Sequence, residues 1–296
     1  MIFDNSAPGK DISLDDLATK IPLVSRKINS EITQIRIGEV VIGGANAVSM
    51  IGPNLVENQG MILEIAEFAA RSGVKILRGG CFKPLTFPYR SSKYFETGEK
   101  GLQWLREAAD LHGLLTITEV MRESDVSLVA SYADILQIGT RNMQNFPLLI
   151  SAAHSDKPIL LKRGFGSSVR DWLGAAEYIL KEGNTQVILC ERGVVAPHTH
   201  RSTSRFLLDL QVIPALRELT HLPVITDPSH ATFWAPWVTS MALASIAAGA
   251  DGVMIEVHPQ PRDAAVDPLQ ALSFKETSIL LEKCRGVASI LGRELD

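Results

Sequence analysis

From about residue 46 onward, one pattern of apolar and polar positions recurs along the chain. A short uninterrupted apolar run leads into a polar or glycine-containing turn, and the turn leads into a stretch with helical spacing. The apolar runs fall at 48–51, 74–77, 114–118, 135–138, 159–161, 187–190, 223–226 and 253–257. The helical stretches between and after them fall at 60–72, 100–111, 124–131, 142–153, 169–181, 210–219, 235–248 and 269–291. The first of these sets Ile62, Ile65, Ala66 and Ala69 on one face. Strands that read as continuous apolar runs are buried on both sides, as in parallel sheets covered by helices. Eight such units predict an α/β fold, a (β/α)8 barrel of the TIM type. A doubly wound open sheet is the runner-up. Neither GxGxxG after the first strand nor GxxxxGK[ST] is present to support it.

The first 45 residues break the pattern. Ser13 and Asp16 have the spacing of a capping box for a short helix over 14–21. Residues 35–44 alternate and then turn, which predicts a β-hairpin plugging the bottom of the barrel. The expected organisation is therefore an N-terminal extension, 1–45, followed by the catalytic barrel, 46–296.

The length of 296 residues suits one barrel of about 250 residues plus that extension. Twenty-nine basic residues against 33 acidic ones give a net charge of −4, which argues against a nucleic-acid or membrane-surface binder. Residues 231–250 form an uncharged stretch of membrane-spanning length. They are rich in alanine and contain Pro236 and Gly249, which favours a packed helix over a bilayer one. Cys81, Cys190 and Cys284 fit neither a disulfide framework nor a zinc pattern. No basic-then-apolar leader is visible, so a cytoplasmic, reducing location is expected.

Candidate chemistry gathers where the strands end, which in such barrels is the reactive face. The residues just past the apolar runs are Asn54, Arg78 with Lys83, Glu119, Arg141, Lys162 with Arg163, Glu191 with Arg192, Asp227 with His230, and Glu256 with His258. Cations grouped around a low-dielectric mouth call for an anion. Guanidinium forks match carboxylate and phosphate oxygens two at a time. The expected ligand is a small metabolite carrying several negative charges. His230, Glu256, His258 and Asp267 supply the ligand types of a divalent cation.

RGGCFKP (78–84), QIGTRNMQNF (137–146), LLKRG (160–164), ILCERG (188–193), LPVITDPSHA (222–231) and MIEVHP (254–259) together resemble the type Iβ 3-deoxy-D-arabino-heptulosonate 7-phosphate (DAHP) synthases. The resemblance runs from about residue 35 to 280, and it places the chain in the superfamily shared with the octulosonate 8-phosphate synthases. It implies a transferase at the entry to aromatic amino-acid biosynthesis, the shikimate pathway. Phosphoenolpyruvate, erythrose 4-phosphate and water would give DAHP and phosphate. It also implies a homo-oligomer, dimer or tetramer. Carried over position by position, Arg78, Lys83 and Lys162 would hold the phosphoenolpyruvate carboxylate. Arg141 and Arg192, with the backbone at Gly139 and Thr140, would hold its phosphate. Lys83 and His230 would be catalytic, and a divalent metal would sit among Asn54, His230, Glu256 and Asp267.

Two departures stand out. Asn54 replaces the family's metal-binding cysteine, and an amide is a weaker ligand than a thiolate. The family's KPRTS loop, which grips the acceptor phosphate, here reads Lys83-Pro-Leu-Thr-Phe87. Thr86, Arg90 and Lys93 are the remaining candidates for acceptor binding. That loop leaves open condensation with a different aldehyde in a specialised pathway; a paralogue that binds phosphoenolpyruvate without turnover is the third and less favoured reading.

Overall fold

The computed structural model describes residues 14–83, 96–198, 200–201 and 206–296. The chain enters through helix α1 (Leu14–Lys20) and an antiparallel hairpin of β1 (Ile35–Ile37) and β2 (Val40–Ile42). The expected cap at Ser13 lies outside the described residues. All eight apolar runs then become parallel strands of one closed barrel. These are β3 (Val48–Gly52), β4 (Ile76–Arg78), β5 (Leu115–Glu119), β6 (Ile135–Ile138), β7 (Ile159–Lys162) and β8 (Val187–Glu191), followed by β11 (Val224–Thr226) and β12 (Gly252–Glu256). Between β8 and β11 the chain adds a short antiparallel ribbon, β9 (Val194–Val195) with β10 (Phe206–Leu207). The apolar pattern gave no sign of it.

Helices α2 (Gln59–Arg71), α3 (Gly98–His112), α4 (Val126–Tyr132), α5 (Phe146–Ala153) and α6 (Val169–Lys181) follow the first strands. After them come α7 (Val212–Leu219), α8 (Pro228–Thr232), α9 (Ala235–Ala247) and α10 (Phe274–Ile290). Local chemistry sets their ends. The Asn58 side chain accepts the Met61 N–H at 2.9 Å to start α2, and a reciprocal Ser168–Asp171 capping box starts α6. The last helix begins at Phe274 rather than 269. Residues before it run alongside β12, with Leu272 N–H donating to Glu256 and His258 N–H donating to Leu272, and a Ser273–Glu276 box then opens the helix. The expected helices 124–131 and 142–153 likewise start late, each after a 3-10 turn (Glu123–Asp125 and Thr140–Asn142). Helix α9 takes 13 residues from the uncharged 231–250 stretch, and no helix among the described residues is long and apolar enough to cross a membrane.

Strand alternation sorts the side chains into two cores. Outward residues such as Ile51, Leu77, Leu136, Leu161 and Leu189 pack under the helices. Inward residues Met50, Ile76, Ile117, Ile135, Leu160, Ile188, Cys190, Ile225 and Met254 fill the barrel together with Ile35, Val40 and Ile42 of the hairpin. The hairpin therefore closes the bottom, as its pattern predicted. Two residues beyond an inward plug residue on seven of the eight strands, in the same inward register, stand Arg78, Glu119, Gln137, Lys162, Arg192, Asp227 and Glu256. This polar layer rests directly on the apolar plug, and all seven residues are buried.

Candidate functional site

A cavity of about 330 Å³ opens above the plug at the C-terminal ends of the strands. It brings together every side chain that the sequence assigned to the donor substrate. Arg78, Lys83, Lys162 and Arg192 line it, with Gly139, Thr140 and Arg141 forming one side. Asn54, His230 and Asp267 complete the opposite side, and Glu256 lies just beneath. Thr86, Arg90 and Lys93 fall outside the described residues.

The lining sets five cations against two carboxylates, Glu119 and Asp267. The mouth is therefore positive without being a bare ring of cations, and three of the five have an acid nearby. Lys162 Nζ donates to Asp227 Oδ2 at 2.5 Å, Lys83 Nζ lies 4.0 Å from Glu119, and Arg78 Nη1 lies 3.7 Å from Glu256. Asp227 is fully buried. Burial alone would push its carboxyl up, but His230 and Lys162 beside it hold the group well below the usual carboxylate range. Burial lowers the Lys83 ammonium from its ordinary value, against the opposing pull of Glu119.

His230 sits in the first turn of α8, where the Asp227 carboxylate both caps its N–H and holds ring Nδ1 at 3.0 Å. Burial drives the imidazole down to about 3, so it stays neutral, with Nε2 left facing Glu256 at 3.8 Å. Glu256 in turn accepts from Gln270 at 2.6 Å, and burial raises its carboxyl to about 8. On the opposite side Gly139 packs closely on Glu119: a Cβ there would lie 2.0 Å from Glu119 Oε1 and would displace that carboxylate. Thr140 and Arg141 line the cavity beside it.

Sequence reasoning mixed the two faces of the wall. Arg163 and Glu191 follow the apolar runs, yet they point outward, pair with each other at 3.0 Å and lie behind the barrel. His258 lies against Glu57 at 3.4 Å rather than in the cavity. Counting two residues on from each plug residue would have separated them. Reasoning also missed Gln137, Phe165, Phe206 and Phe233, which line the cavity. Gln137 is on the inward register. The three phenylalanines sit in loops and carry no periodic signal. Phe233 and Asp267 both hold left-handed backbone, with φ of 53° and 52°, which is a strained conformation often found at working sites.

A divalent cation would need free donors, and on Asp267, His230 and Glu256 one donor atom each is already engaged with another group. Asn54 Nδ2 donates to Asp267 Oδ2 at 2.7 Å, so an N–H group already occupies that carboxylate. No three His, Cys, Asp or Glu side chains among the described residues are grouped to hold an ion. Of the four expected ligands only Asn54 and Asp267 are hydrogen-bonded to each other; His230 and Glu256 stand 3.8 Å apart and bond instead to Asp227 and Gln270.

The geometry has clear counterparts. The model of the DAHP synthetase I family matches residues 24–291. A phospho-2-dehydro-3-deoxyheptonate aldolase of Thermotoga maritima is 44% identical over 270 residues, covering 91% of this chain and 78% of the relative. A 2-dehydro-3-deoxyphosphooctonate aldolase of Syntrophobacter fumaroxidans is 29% identical over 272 residues, covering 84% and 90%. Among solved structures, the Thermotoga maritima DAHP synthase superposes with a TM-score of 0.87 at 43% identity, over 93% of this chain and 78% of that one. Its truncated form gives 0.85 at 42% identity, over 93% and 99%.

Proposed function

The chain belongs to the DAHP synthetase I family, and on that footing we propose that it condenses phosphoenolpyruvate with erythrose 4-phosphate and water to give DAHP and phosphate. The observation that carries this reading is the grouping of Arg78, Lys83, Arg141, Lys162 and Arg192 around one cavity. A trianion of three carbons needs charge at both of its ends, and fixed cations supply it without reorganisation. Arg78 and Lys162 take the carboxylate from the floor. Arg141 and Arg192 take the phosphate, with the backbone at Gly139 and Thr140. C3 then attacks the aldehyde carbon, water adds at C2, and phosphate leaves by C–O cleavage. Lys83 gives its proton to the aldehyde oxygen as that oxygen gains charge. Incubating the protein with phosphoenolpyruvate and erythrose 4-phosphate and following phosphate release tests the proposal. Release with some other aldehyde only, or none at all, would sink it.

If Lys83 is the proton donor, activity requires its charged form and is lost as pH rises through its lowered pKa. The alkaline limb of kcat/KM is therefore expected below the ordinary lysine range near about 10.4. Lys83→Arg stays charged throughout, so it should turn over more slowly and lose that limb. An unmoved limb would assign it to another group.

We route no step through a metal, because Asn54 and Asp267 are bound to each other. Chelator is expected to leave turnover unchanged. Asn54→Cys removes the N–H that holds Asp267 and adds a soft ligand. That variant should bind zinc more tightly and become chelator-sensitive; equal metal affinity in the two proteins would count against this assignment.

A further inference from the structure

The outward face of β8 carries a second set of ionic groups that no step above uses. Glu191 is fully buried behind the barrel wall. Its Oε2 accepts from Arg163 at 3.0 Å, and Arg163 also reaches Asp209 at 2.8 Å and lies 5.8 Å from the Trp172 ring. Its Oε1 accepts the Gly193 N–H at 2.7 Å. Glu191 thus grips the backbone on the far side of Arg192. Gly193 turns there with φ of 94°, where a Cβ would press on Phe206 and Ala231.

That turn aims Arg192 inward. The guanidinium lies 4.2 Å from the Phe206 ring centre and 5.1 Å from Phe165, and the two rings stack at 4.9 Å. One nitrogen, Nη2, donates to the His230 carbonyl at 3.1 Å, while buried Nη1 has no hydrogen-bond partner. Arg141 shares the same platform, 5.4 Å from Phe165. A guanidinium packed against two rings and tied at one nitrogen is held in a single orientation at the cavity wall.

We propose that Glu191 and Phe206 are positioning residues for the phosphate half of the site. Glu191 sets the Gly193 turn from outside the wall, Phe206 supports the guanidinium from inside, and together they aim Arg192 at the phosphate. This rests on the reading of Arg141 and Arg192 as phosphate ligands. Neither Glu191 nor Phe206 needs to touch substrate.

The test uses inorganic phosphate as the probe in calorimetry, with KM, kcat and melting temperature measured alongside. Glu191→Ala is expected to weaken phosphate binding about tenfold or more and to raise KM for phosphoenolpyruvate in step, with KM for the aldehyde unchanged. Glu191→Gln keeps an acceptor for Gly193 and should stay within about threefold of the parent. Phe206→Leu should weaken phosphate about fivefold. A folded Glu191→Ala that binds phosphate like the parent overturns the proposal, as does a Glu191→Gln as impaired as the alanine variant. Should Glu191→Ala fail to fold, Phe206→Leu decides, and parental affinity there overturns the proposal. A parent protein that neither binds phosphate nor consumes phosphoenolpyruvate would defeat the functional reading, and this inference with it.

Discussion

Lys162→Met should abolish synthase turnover and cost the fold several kcal/mol at the same time. The two losses share one geometry. Lys162 Nζ sits 2.5 Å from Asp227 in a layer closed to solvent from below by the apolar plug. Removing the ammonium takes a cation from the substrate carboxylate, and deleting one such preorganised donor typically costs about 10²–10³ in rate. It also leaves Asp227 buried without its direct ion-pair partner, with His230 as its remaining side-chain hydrogen-bond partner, and a broken buried pair costs about 3–5 kcal/mol because the surviving charge stays desolvated. The double variant Lys162→Met/Asp227→Asn should then recover most of the stability while remaining inactive, since a neutral amide still accepts from His230. Denaturant melts and phosphate release measure both. A double variant no more stable than Lys162→Met alone would show that the pair is not the source of the cost.

The second large effect lies at the other end of the barrel. Ile42 is fully buried against the inward strand residues. Ile42→Asp would place an unpaired carboxylate beneath the plug, at a cost of about 5 kcal/mol or more once lost packing and charge burial are combined. Total stabilities of domains run to about 5–15 kcal/mol, so the variant should be largely unfolded or insoluble at room temperature. Ile42→Val, which removes one methylene, should cost only about 0.5–1.5 kcal/mol. We therefore take the extension and the barrel to fold as one unit, and truncation through residue 45 should not yield a stable barrel. A cooperative, parent-like melt for Ile42→Asp would mean that the hairpin peels away from an intact barrel.

The barrel was legible because its strands are buried on both faces. A run such as 187–190 has no polar residue to interrupt it, and each run is followed at once by a turn. Several strands nevertheless extend one residue past their runs. Arg78, Glu119, Lys162 and Glu191 are the last residues of β4, β5, β7 and β8, so part of the candidate chemistry is in the strands themselves. The cations were visible for the same reason: a charge that directly continues a buried run must be satisfied somewhere. What the linear pattern did not reveal was direction, and hence the placement of Arg163 and Glu191 behind the wall. It could not show that Asn54 meets Asp267 across 213 positions, because no local periodicity links a loop after the first barrel strand to one after the last. The platform of Phe165 and Phe206 was hidden for the same reason.

The barrel wall is one residue thick and polar on both sides, with Lys162 inside and Arg163 outside, then Glu191 outside and Arg192 inside. This constrains how the chain can diversify. A substitution alters one side chain and leaves its neighbours in phase. Gain or loss of a single codon within β7 or β8 would exchange lumen for backing, turning the anion pocket inside out and driving aliphatic side chains into the mouth. Length changes in descendants of this protein should therefore be confined to the connections beyond the strands, and new specificities should be acquired there.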